Sequence, residues 1–431
     1  MIITPANRTL SVKEYYFSIK NKEIARLNAQ RKEAGLDAVI NLGIGSPDGA
    51  PPAEAVEALC ACARRPGTHG YQSYTGIPEL REAMAAWYRR WYGVELDPAS
   101  EIQLLMGSKE GILLLSLAFL NPGDKVLVPN PGYPTYTSAT RMCEAELLIY
   151  DLVESDGWYP DFRQLEAMDL QGVKIMWVNY PNMPTGAPAR RDVFEKLVDF
   201  ARRHRILLVN DNPYSFVLNE PLSVLSVPGA REVCLEMNSL SKSHNMAGWR
   251  VGLMAGAADV IKELLKVKTQ MDSGMFRGIQ EAAVAALQAD PQWYEALNAE
   301  YRRRREIACR IMDTLGCTYD QNAGGLYVWG RVPSGEAEAW SDKILYQAGV
   351  FLTPGFIFGS NGAHHLRISL CANVPTLEKA LEKILRFAQN DRESQNDRES
   401  QNDRESQNDR ESQTISCHTE AKPSVSQKET K

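Results

Sequence analysis

The sequence has no long uncharged apolar run, no paired CxxC spacing and no excess of positive charge. No window approaches 18 uncharged apolar residues, so no transmembrane helix is predicted. Residues 1–17 lack the apolar core of a secretory signal peptide. The formal net charge is -6 and the sequence pI is about 5.7, which argues against nucleic-acid binding through counterion release. We therefore predict a cytoplasmic protein that binds neither membranes nor nucleic acid.

Metal and nucleotide motifs are also missing. The 8 cysteines are scattered, mostly in apolar contexts, which favours reduced thiols over disulfides. His364 and His365 are adjacent, but no further His or Cys nearby has the spacing of metal ligands, so no metal site is predicted. The stretch 43-GIGSPDG-49 lacks the third glycine of a dinucleotide-binding fingerprint, and Pro51 and Pro52 follow where a helix should already run. Neither feature predicts a site.

What is present is the composition of a globular enzyme: 431 residues, of which 44% are hydrophobic and 24% charged. Short apolar runs alternate with longer helical patterns. The predicted strands are 125–129, 173–180, 206–212 and 232–237, and helices are predicted over 109–120 and 191–205. Such alternation predicts an α/β protein whose central, mainly parallel sheet is sandwiched by helices. Ligands of these sheets bind at the carboxyl ends of the strands.

The pattern changes after about residue 290. Helical segments are followed by predicted strands over 324–332 and 365–370 and by a helix over 376–388. We predict a large domain over 49–290 and a smaller α+β domain over 291–388, which residues 1–48 join. The segment 299–312 reads as an amphipathic helix whose basic run, 302–305, faces solvent.

The C-terminal end differs from the rest of the chain. The hexamer QNDRES occurs four times without variation between Gln389 and Ser412. The hexamer contains no aliphatic or aromatic residue, so it has nothing to bury. We therefore predict that residues 389–431 form a disordered, low-complexity tail.

Donors for a phosphate group follow two of the predicted strands. Ser108 and Lys109 stand at the start of a helix, where free main-chain NH groups and the helix dipole favour an anion. Ser239 and Ser241 follow another strand, and Arg250 could add a bidentate, charge-assisted pair. We expect these groups to meet at one edge of the sheet and to hold a single phosphate.

An acid and an amine are predicted at the same edge. Asp211, directly after a buried strand, could hold a protonated ring nitrogen. Lys242 lies among small hydroxyl residues, and burial there would lower its pKa and free its lone pair for a Schiff base. Phosphate site, acid and amine together describe a site for pyridoxal 5'-phosphate (PLP). The neighbouring His244 is expected to pack rather than to react.

Eight motifs carry a resemblance to a known family. They are 41-NLGIGSPD-48, 71-YQSYTGIPELR-81, 107-GSKEG-111, 130-NPGYPTY-136, 184-PTG-186, 211-DNPY-214, 239-SLSKSHNMAGWR-250 and 367-RISL-370. In their order and spacing, the chain from about Tyr15 to Arg386 resembles the class I/II aminotransferases of the fold-type I PLP-dependent family. It is most similar to the branch of alanine (glutamate–pyruvate) and LL-diaminopimelate aminotransferases. The resemblance implies the fold-type I architecture, PLP as cofactor and a homodimer.

The resemblance also implies roles for residues that would bind the cofactor. Lys242 would hold PLP as a Schiff base and then move a proton of the substrate. Asp211 would pair with the ring nitrogen, Tyr214 would bond the phenolic oxygen, and Tyr133 would stack on the ring. Tyr71 would reach the phosphate from the partner subunit.

Three further residues are implied to bind substrate. Arg367 would clamp the α-carboxylate with its planar guanidinium, beside the main chain at Gly45. Tyr15 matches a position that contacts substrate near the amino terminus.

One position departs from the family pattern. The family usually reads Asn-Pro-Thr-Gly, with that asparagine bonding the phenolic oxygen, whereas this chain has Met183. Asn182, one residue earlier, could replace it, or Tyr214 could act alone. A lost neutral hydrogen bond is worth roughly 0.5–1.5 kcal/mol, so catalysis is expected to persist.

The activity expected from the resemblance is transfer of an amino group from an L-amino acid to a 2-oxo acid through pyridoxamine phosphate. An alanine-like donor with 2-oxoglutarate as acceptor is the first choice. LL-diaminopimelate, aspartate, methionine and aromatic donors stay open, as does a PLP-dependent carbon–sulfur lyase. We do not expect a PLP-sensing DNA-binding regulator, because the roughly 40 residues before the first motif are too few for a DNA-binding domain.

Overall fold

The largest sheet of the computed structural model, which describes residues 2–391 and 393, has seven strands in the order β2-β8-β7-β6-β5-β3-β4. The strands of the described residues are β1 (Ile40–Asn41), β2 (Ile102–Leu105), β3 (Lys125–Asn130), β4 (Glu146–Asp151), β5 (Val173–Val178), β6 (Leu207–Asp211), β7 (Cys234–Ser239), β8 (Gly252–Gly256), β9 (Thr318–Tyr319), β10 (Tyr327–Arg331), β11 (Val350–Phe351), β12 (Thr353–Pro354) and β13 (His365–Ser369). Strands β3 to β7 pair in parallel, and only β8 runs antiparallel to its two neighbours. The predicted α/β fold class is confirmed.

Helices connect and cover these strands. They are α1 (Asn7–Leu10), α2 (Tyr16–Glu33), α3 (Ala53–Arg64), α4 (Pro78–Tyr92), α5 (Ser108–Phe119), α6 (Pro134–Met142), α7 (Phe162–Ala167), α8 (Arg191–His204), α9 (Leu240–Ser243), α10 (Ala258–Lys268), α11 (Arg277–Leu287), α12 (Pro291–Thr314) and α13 (Ala337–Ala348), with a last helix, α14, over residues 374–391. Among the described residues, no helix is both long enough and apolar enough to cross a bilayer.

Local sequence explains the elements that carry the sheet. Strand β5 buries all but one of its residues, and β6 buries all but its first, as strands covered on both faces require. Helix α8 buries Val193, Phe194, Leu197 and Val198, spaced by three and four, and leaves its charged residues outside. Its end is set by Arg205, whose φ of 55° leaves the helical region.

The predicted strands and helices agree with the structure to within a few residues, but three strands of the large sheet, β2, β4 and β8, were not predicted. The clearest case is β8. Its sequence, 252-GLMAG-256, contains no β-branched or aromatic residue, so local propensity carries no signal there. Pairing with β2 and β7 on both sides makes it a strand nonetheless.

A second, four-stranded sheet in the order β12-β13-β10-β9 follows in the C-terminal part. The N-terminal segment is tied to this part, because β1 pairs in parallel with β11 and the amide of Ser369 donates to the carbonyl of Leu42 at 2.8 Å. This pairing supports the division into a large domain (49–290) and a small domain (1–48 with 291–388), which we propose on that ground.

The predicted exposure of the basic run in α12 is partly wrong. Arg302 and Arg303 are exposed, but Arg304 is buried. Its guanidinium pairs with Asp48 at 2.6 Å and with Glu300 at 2.9 Å. The spacing of four places Glu300 beside Arg304 on the helix, but Asp48 is distant in sequence and its approach could not be predicted.

The last helix extends three residues into the first QNDRES repeat, which the sequence assigned to the disordered tail. Residues 389–391 are helical, and Nζ of Lys343 donates to a carboxylate oxygen of Asp391 at 2.5 Å. The ion pair and helix continuation explain the difference, since the repeat itself has no apolar side chain to dock. The remainder of the predicted tail lies outside the described residues, apart from residue 393.

Candidate active site

A cavity of about 390 Å³ lies at the carboxyl edge of the large sheet, and residues from distant parts of the sequence line it. Nearly every residue predicted for the site lines this cavity: Tyr15, Gly45, Ser108, Lys109, Tyr133, Asp211, Tyr214, Ser239, Ser241, Lys242, Arg250 and Arg367. Asn182 and Tyr71 are the two that do not. The fold therefore brings the predicted constellation together, while the role of each residue stays a prediction.

The register of the sheet accounts for this convergence. Asp211 is the last residue of β6, and Ser239 is the last residue of β7. These two strands are parallel neighbours, with Asp211 opposite Met237, so their ends lie side by side. Helix α5 begins at Ser108 soon after β2, on the other side of β8.

The groups predicted to bind a phosphate within their own chain all line the cavity. The N-terminus of α5 is reached through Gly107, whose φ is +82°. A Cβ at Gly107 would lie 2.1 Å from Nη2 of Arg250, so only glycine allows this approach. The hydroxyl of Ser239 donates to that of Ser241 at 2.8 Å. No carboxylate in the described part of the chain pairs with Arg250, so its charge is available to an anionic ligand.

Asp211 presents one oxygen that the protein leaves without a partner. The Tyr136 hydroxyl donates to Oδ2 at 2.9 Å, whereas Oδ1 is buried and makes no hydrogen bond with any described residue. Burial raises the pKa of Asp211 to about 7, and the bond from Tyr136 acts in the opposite direction. A cationic N–H donor at Oδ1 would satisfy this oxygen and favour the ionised carboxylate. A protonated pyridine nitrogen is such a donor.

Tyr136 is a residue of the site that the sequence reasoning missed. It is buried, stacks on Trp177 with ring centroids 5.0 Å apart and an interplanar angle of 5°, and meets Tyr133 edge to face at 5.6 Å. A signal was available, since Tyr136 ends the motif 130-NPGYPTY-136. It lies in the first turn of α6, three residues after Tyr133, which precedes that helix.

Lys242 lies in a short helix, α9, directly after β7. The Ser239 side chain caps this helix by accepting from the amide of Ser241 at 3.1 Å. Nζ of Lys242 points into the cavity and donates to the carbonyl oxygen of Gly45. No carboxylate in the described residues pairs with this amine, which leaves it free to react with a carbonyl group.

His244 packs in the protein interior, away from the cavity lining. Its ring nitrogens lie 2.8 Å from the Ser243 hydroxyl and 2.9 Å from the Tyr294 hydroxyl. Burial lowers the pKa of His244 to about 3, so the ring is neutral at physiological pH. Its contacts join the Lys242 segment to α12.

Arg367 is a buried cation surrounded by aromatic rings. Its Cζ lies 4.0 Å from the ring centroid of Tyr327, 4.6 Å from that of Phe358 and 5.7 Å from that of Phe17. Nη2 donates to the carbonyl of Gly43 at 3.0 Å. No carboxylate of the described chain pairs with it. A buried guanidinium without an anionic partner is suited to bind the carboxylate of a ligand.

The structure does not bring Asn182 into the cavity. Its Nδ2 donates to the carbonyl of Asn179 at 3.1 Å, and its Oδ1 accepts from the Thr185 hydroxyl at 2.7 Å. The side chain is thus used in the turn after β5, which corrects the expectation that it could bond the cofactor. Met183 lines the cavity instead, with its sulfur 3.5 Å from Nη1 of Arg367.

Met183→Asn is therefore expected to add a hydrogen-bond donor to the cavity. A thioether cannot donate, whereas an amide could bond the phenolic oxygen of PLP and stabilise its ionised form. We expect the pH midpoint of the visible spectral change of the bound cofactor to fall by roughly one unit or less, as one hydrogen bond of about 1 kcal/mol implies. A spectrophotometric pH titration of both proteins measures this, and an unchanged or raised midpoint would contradict it.

Tyr71 lies on the surface of the single chain, with 93% of its area exposed. It does not line the cavity formed by its own chain. This position leaves its predicted role, binding the phosphate in a partner subunit, as a prediction.

The residues of the cavity fit PLP, the cofactor implied by the family resemblance. Arg250 and the start of α5 offer an anion site, Asp211 offers an unpartnered carboxylate oxygen, and Lys242 offers an amine. Metal ligands are not arranged in the same way: the described residues contain no group of three or more His, Cys, Asp or Glu side chains that could hold an ion.

Comparison with known proteins agrees with this chemistry. Residues 37–384 match the family model "Aminotransferase class I and II". The chain is 40% identical over 386 residues to the LL-diaminopimelate aminotransferase of Oleidesulfovibrio alaskensis, which covers 88% of this chain and 98% of the relative. It is 38% identical over 366 residues to the enzyme of the same name from Aquifex aeolicus, covering 84% and 94%.

Solved structures give the same result. Substrate-bound BacF from Bacillus subtilis superposes with a TM-score of 0.83 at 37% identity, covering 90% of this chain and 98% of BacF. Aspartate aminotransferase from Thermus thermophilus, solved with maleate, matches with a TM-score of 0.81 at 29% identity. The match covers 90% of this chain and 100% of the aspartate aminotransferase chain.

Proposed function

The chain belongs to the class I and II aminotransferases, which depend on PLP, and on that premise we propose that its amino donor is LL-diaminopimelate and its acceptor a 2-oxo acid such as 2-oxoglutarate. The observation that carries the proposal is the name shared by relatives that match the chain over nearly their whole length. The sequence alone favoured an alanine-like donor and kept LL-diaminopimelate as an alternative. The relatives support the alternative.

The charges of the cavity support a donor with two carboxylates. The cations that line it are Lys109, Lys242, Arg250 and Arg367, and the only acid among the described lining residues is Asp211. In our proposal Arg250 faces the phosphate of PLP, Lys242 reacts with its carbonyl group and Arg367 binds the α-carboxylate. The main-chain NH of Lys109 keeps its predicted place at the phosphate, whereas its side-chain amine remains a cation without an assigned anion.

Lys109 is placed where a distal carboxylate could reach it. Its Nζ lies 4.9 Å from the ring centroid of Tyr15, and the amine makes no ion pair with a described residue. Burial and the nearby charge of Arg250 lower the pKa of Lys109. A carboxylate beside it would restore the charged form. Diaminopimelate carries a second carboxylate, whereas alanine does not.

We propose the following division of work within the site. When bound, PLP draws electrons from Cα of the amino acid and so makes its proton acidic. The Lys242 amine would take that proton from Cα and deliver it to the C4' carbon of the cofactor, and Asp211 would keep the ring nitrogen charged. Arg367 orients the α-carboxylate so that the Cα–H bond faces the amine. Tyr214 donates to the phenolic oxygen.

A homodimer belongs to the same proposal. The exposed Tyr71 phenol would complete the phosphate site of the partner subunit, which explains why its own chain leaves this side chain outside the cavity. Hybrid dimers that combine a Lys242→Ala chain with a Tyr71→Phe chain test this sharing. They should differ in activity from an equal mixture of the two parent dimers.

The substrate is tested with the PLP-loaded enzyme and no acceptor. Single-turnover rates are measured for LL-diaminopimelate, L-alanine, L-aspartate, L-methionine and L-phenylalanine from the change in cofactor absorbance. We expect the single-turnover rate to be highest with LL-diaminopimelate. A higher rate with L-alanine would overturn the proposed donor. Continuing release of ammonia or thiol, instead of one turnover per site, would identify a lyase.

Lys109→Met is expected to lower the efficiency of the half-reaction with LL-diaminopimelate roughly 10- to 100-fold, since a charge-assisted contact of about 1.5–3 kcal/mol is lost. The same half-reaction with L-alanine should change less than about 3-fold, because alanine has no distal carboxylate. Lys262→Met, an exposed lysine on α10, is the matched control. An equal loss with both amino acids would mean that Lys109 serves the cofactor instead.

A further inference from the structure

Tyr327 lines the cavity but was not singled out by the sequence, which indicated only a strand over 324–332. It lies in β10, pairs opposite Ser369 of β13, and is 6% exposed. Its side chain contacts groups on three separate segments of the chain. Each of these groups already has a proposed role in the site.

The face of the Tyr327 ring supports Arg367. The guanidinium carbon is 4.0 Å from the ring centroid, closer than to either of the other two rings around it. Nε of Arg367 is buried without a hydrogen-bond partner among the described residues. Contact with an aromatic face is attractive for a desolvated cation and restricts the plane of the guanidinium. The plane of the fork decides how it can meet a carboxylate.

Tyr327 also meets Tyr214 and Gly45. Its ring centroid lies 6.0 Å from that of Tyr214, and, after burial, Tyr327 is the next cause that raises the pKa of Tyr214. It also packs against Gly45, where a Cβ would lie only 2.0 Å from the tyrosine oxygen. The carbonyl of Gly45 in turn accepts from Nζ of Lys242. A side chain at Gly45 would therefore displace the Tyr327 hydroxyl.

We propose that Tyr327 is a positioning residue that orients the Tyr214 hydroxyl with its own hydroxyl and the Arg367 guanidinium with its ring. It thereby links the group that contacts the cofactor ring to the group that contacts the substrate carboxylate. Two nearby amides are unable to take the first task. The Asn179 and Asn182 side chains are both held by bonds within their turn or to the main chain of Asp211.

The two tasks are separable because they use different parts of one side chain. Tyr327→Phe keeps the ring and removes the hydroxyl, whereas Tyr327→Met removes both. When Tyr214 donates its hydrogen bond to a ligand oxygen, the Tyr327 hydroxyl must donate a hydrogen bond to the Tyr214 oxygen. That bond makes Tyr214 a better donor. Loss of that bond should weaken the stabilisation of the ionised cofactor oxygen.

The experiment uses PLP-loaded enzyme, a spectrophotometric pH titration, and binding of propionate, an unreactive carboxylate, followed by cofactor absorbance. Tyr327→Phe should raise the pH midpoint by several tenths of a unit to about one unit and leave the dissociation constant for propionate within about 2-fold. Tyr327→Met should raise the midpoint similarly and weaken propionate binding roughly 5- to 30-fold. Tyr319→Phe, in the neighbouring strand β9 with its hydroxyl on Asp313, should change neither.

A purely structural tyrosine would change the melting temperature without these two shifts. An unchanged midpoint in Tyr327→Phe, or unchanged propionate binding in Tyr327→Met, overturns the proposal. If the Met variant does not fold, Tyr327→Phe still decides the hydroxyl, and its titration stands alone. Since the inference rests on the proposed roles of Tyr214 and Arg367, Arg367→Ala is titrated in parallel. Unchanged propionate binding there would instead refute the role of Arg367.

Discussion

Lys242→Ala is expected to remove the visible absorbance of the bound cofactor and to lower kcat by at least about 1,000-fold. The amine has two tasks in our proposal, since it holds PLP covalently and moves the proton at Cα. Lys109 is the other lysine of the cavity, but its amine rests on the Tyr15 ring, whereas that of Lys242 contacts the Gly45 carbonyl. We therefore expect no second amine to replace it. Absorbance spectra and turnover with LL-diaminopimelate measure both effects.

A matched control separates loss of chemistry from loss of folding. Lys262 is exposed on α10, and its replacement by alanine should leave the spectrum and kcat unchanged. Melting curves of both variants show whether the fold is retained. A folded Lys242→Ala protein with a normal visible spectrum and full turnover would refute the assignment of the site.

Arg367→Ala is expected to raise the KM of every amino acid donor by roughly 100-fold, with a smaller effect on kcat. The reason is the loss of a bidentate, charge-assisted pair with the α-carboxylate, in which each bond is worth about 1.5–3 kcal/mol. LL-diaminopimelate and L-alanine should be affected alike, because the α-carboxylate is common to both. Steady-state kinetics with the two donors measure this.

Arg367→Lys and Arg331→Ala complete the test. The lysine keeps the charge but cannot form the planar fork, so we expect its KM to lie between those of wild type and alanine variant. Arg331 lies in the adjacent strand, and its loss should leave KM unchanged. An effect of Arg367→Ala on one donor only would mean that this arginine binds the side chain of the substrate and not its α-carboxylate. That result would contrast with Lys109→Met, where selectivity is the expected outcome.

The fold class could be predicted because the strands of the large sheet are covered on both faces. Strands such as β5 and β6 must be apolar throughout, and this leaves continuous runs in the sequence. The residues at the carboxyl edge of that sheet could be predicted too, because parallel strands end at the same edge and polar residues follow each strand end. Asp211 and Lys242 were placed near one another on this ground, and both line the same cavity.

The failures have a common physical origin. Asn182 is one residue from Met183, yet the turn after β5 directs the asparagine to main-chain partners and the methionine to the cavity. Adjacent residues share every local signal, so only the backbone path decides which one reaches the ligand. Arg304 shows the same limit, because its partner Asp48 comes from a distant segment.

The family resemblance, the parallel sheet and the chemical groups at its edge could be recognised from the sequence, because the motifs and the hydrophobic periods lie within short stretches of the chain. The contacts that support those groups could not. The Tyr136 hydroxyl reaches Asp211 from α6, and the Tyr327 ring lies under Arg367 from a neighbouring strand. Such contacts join residues far apart in the chain. They depend on the packing of whole elements, which no short stretch of sequence encodes.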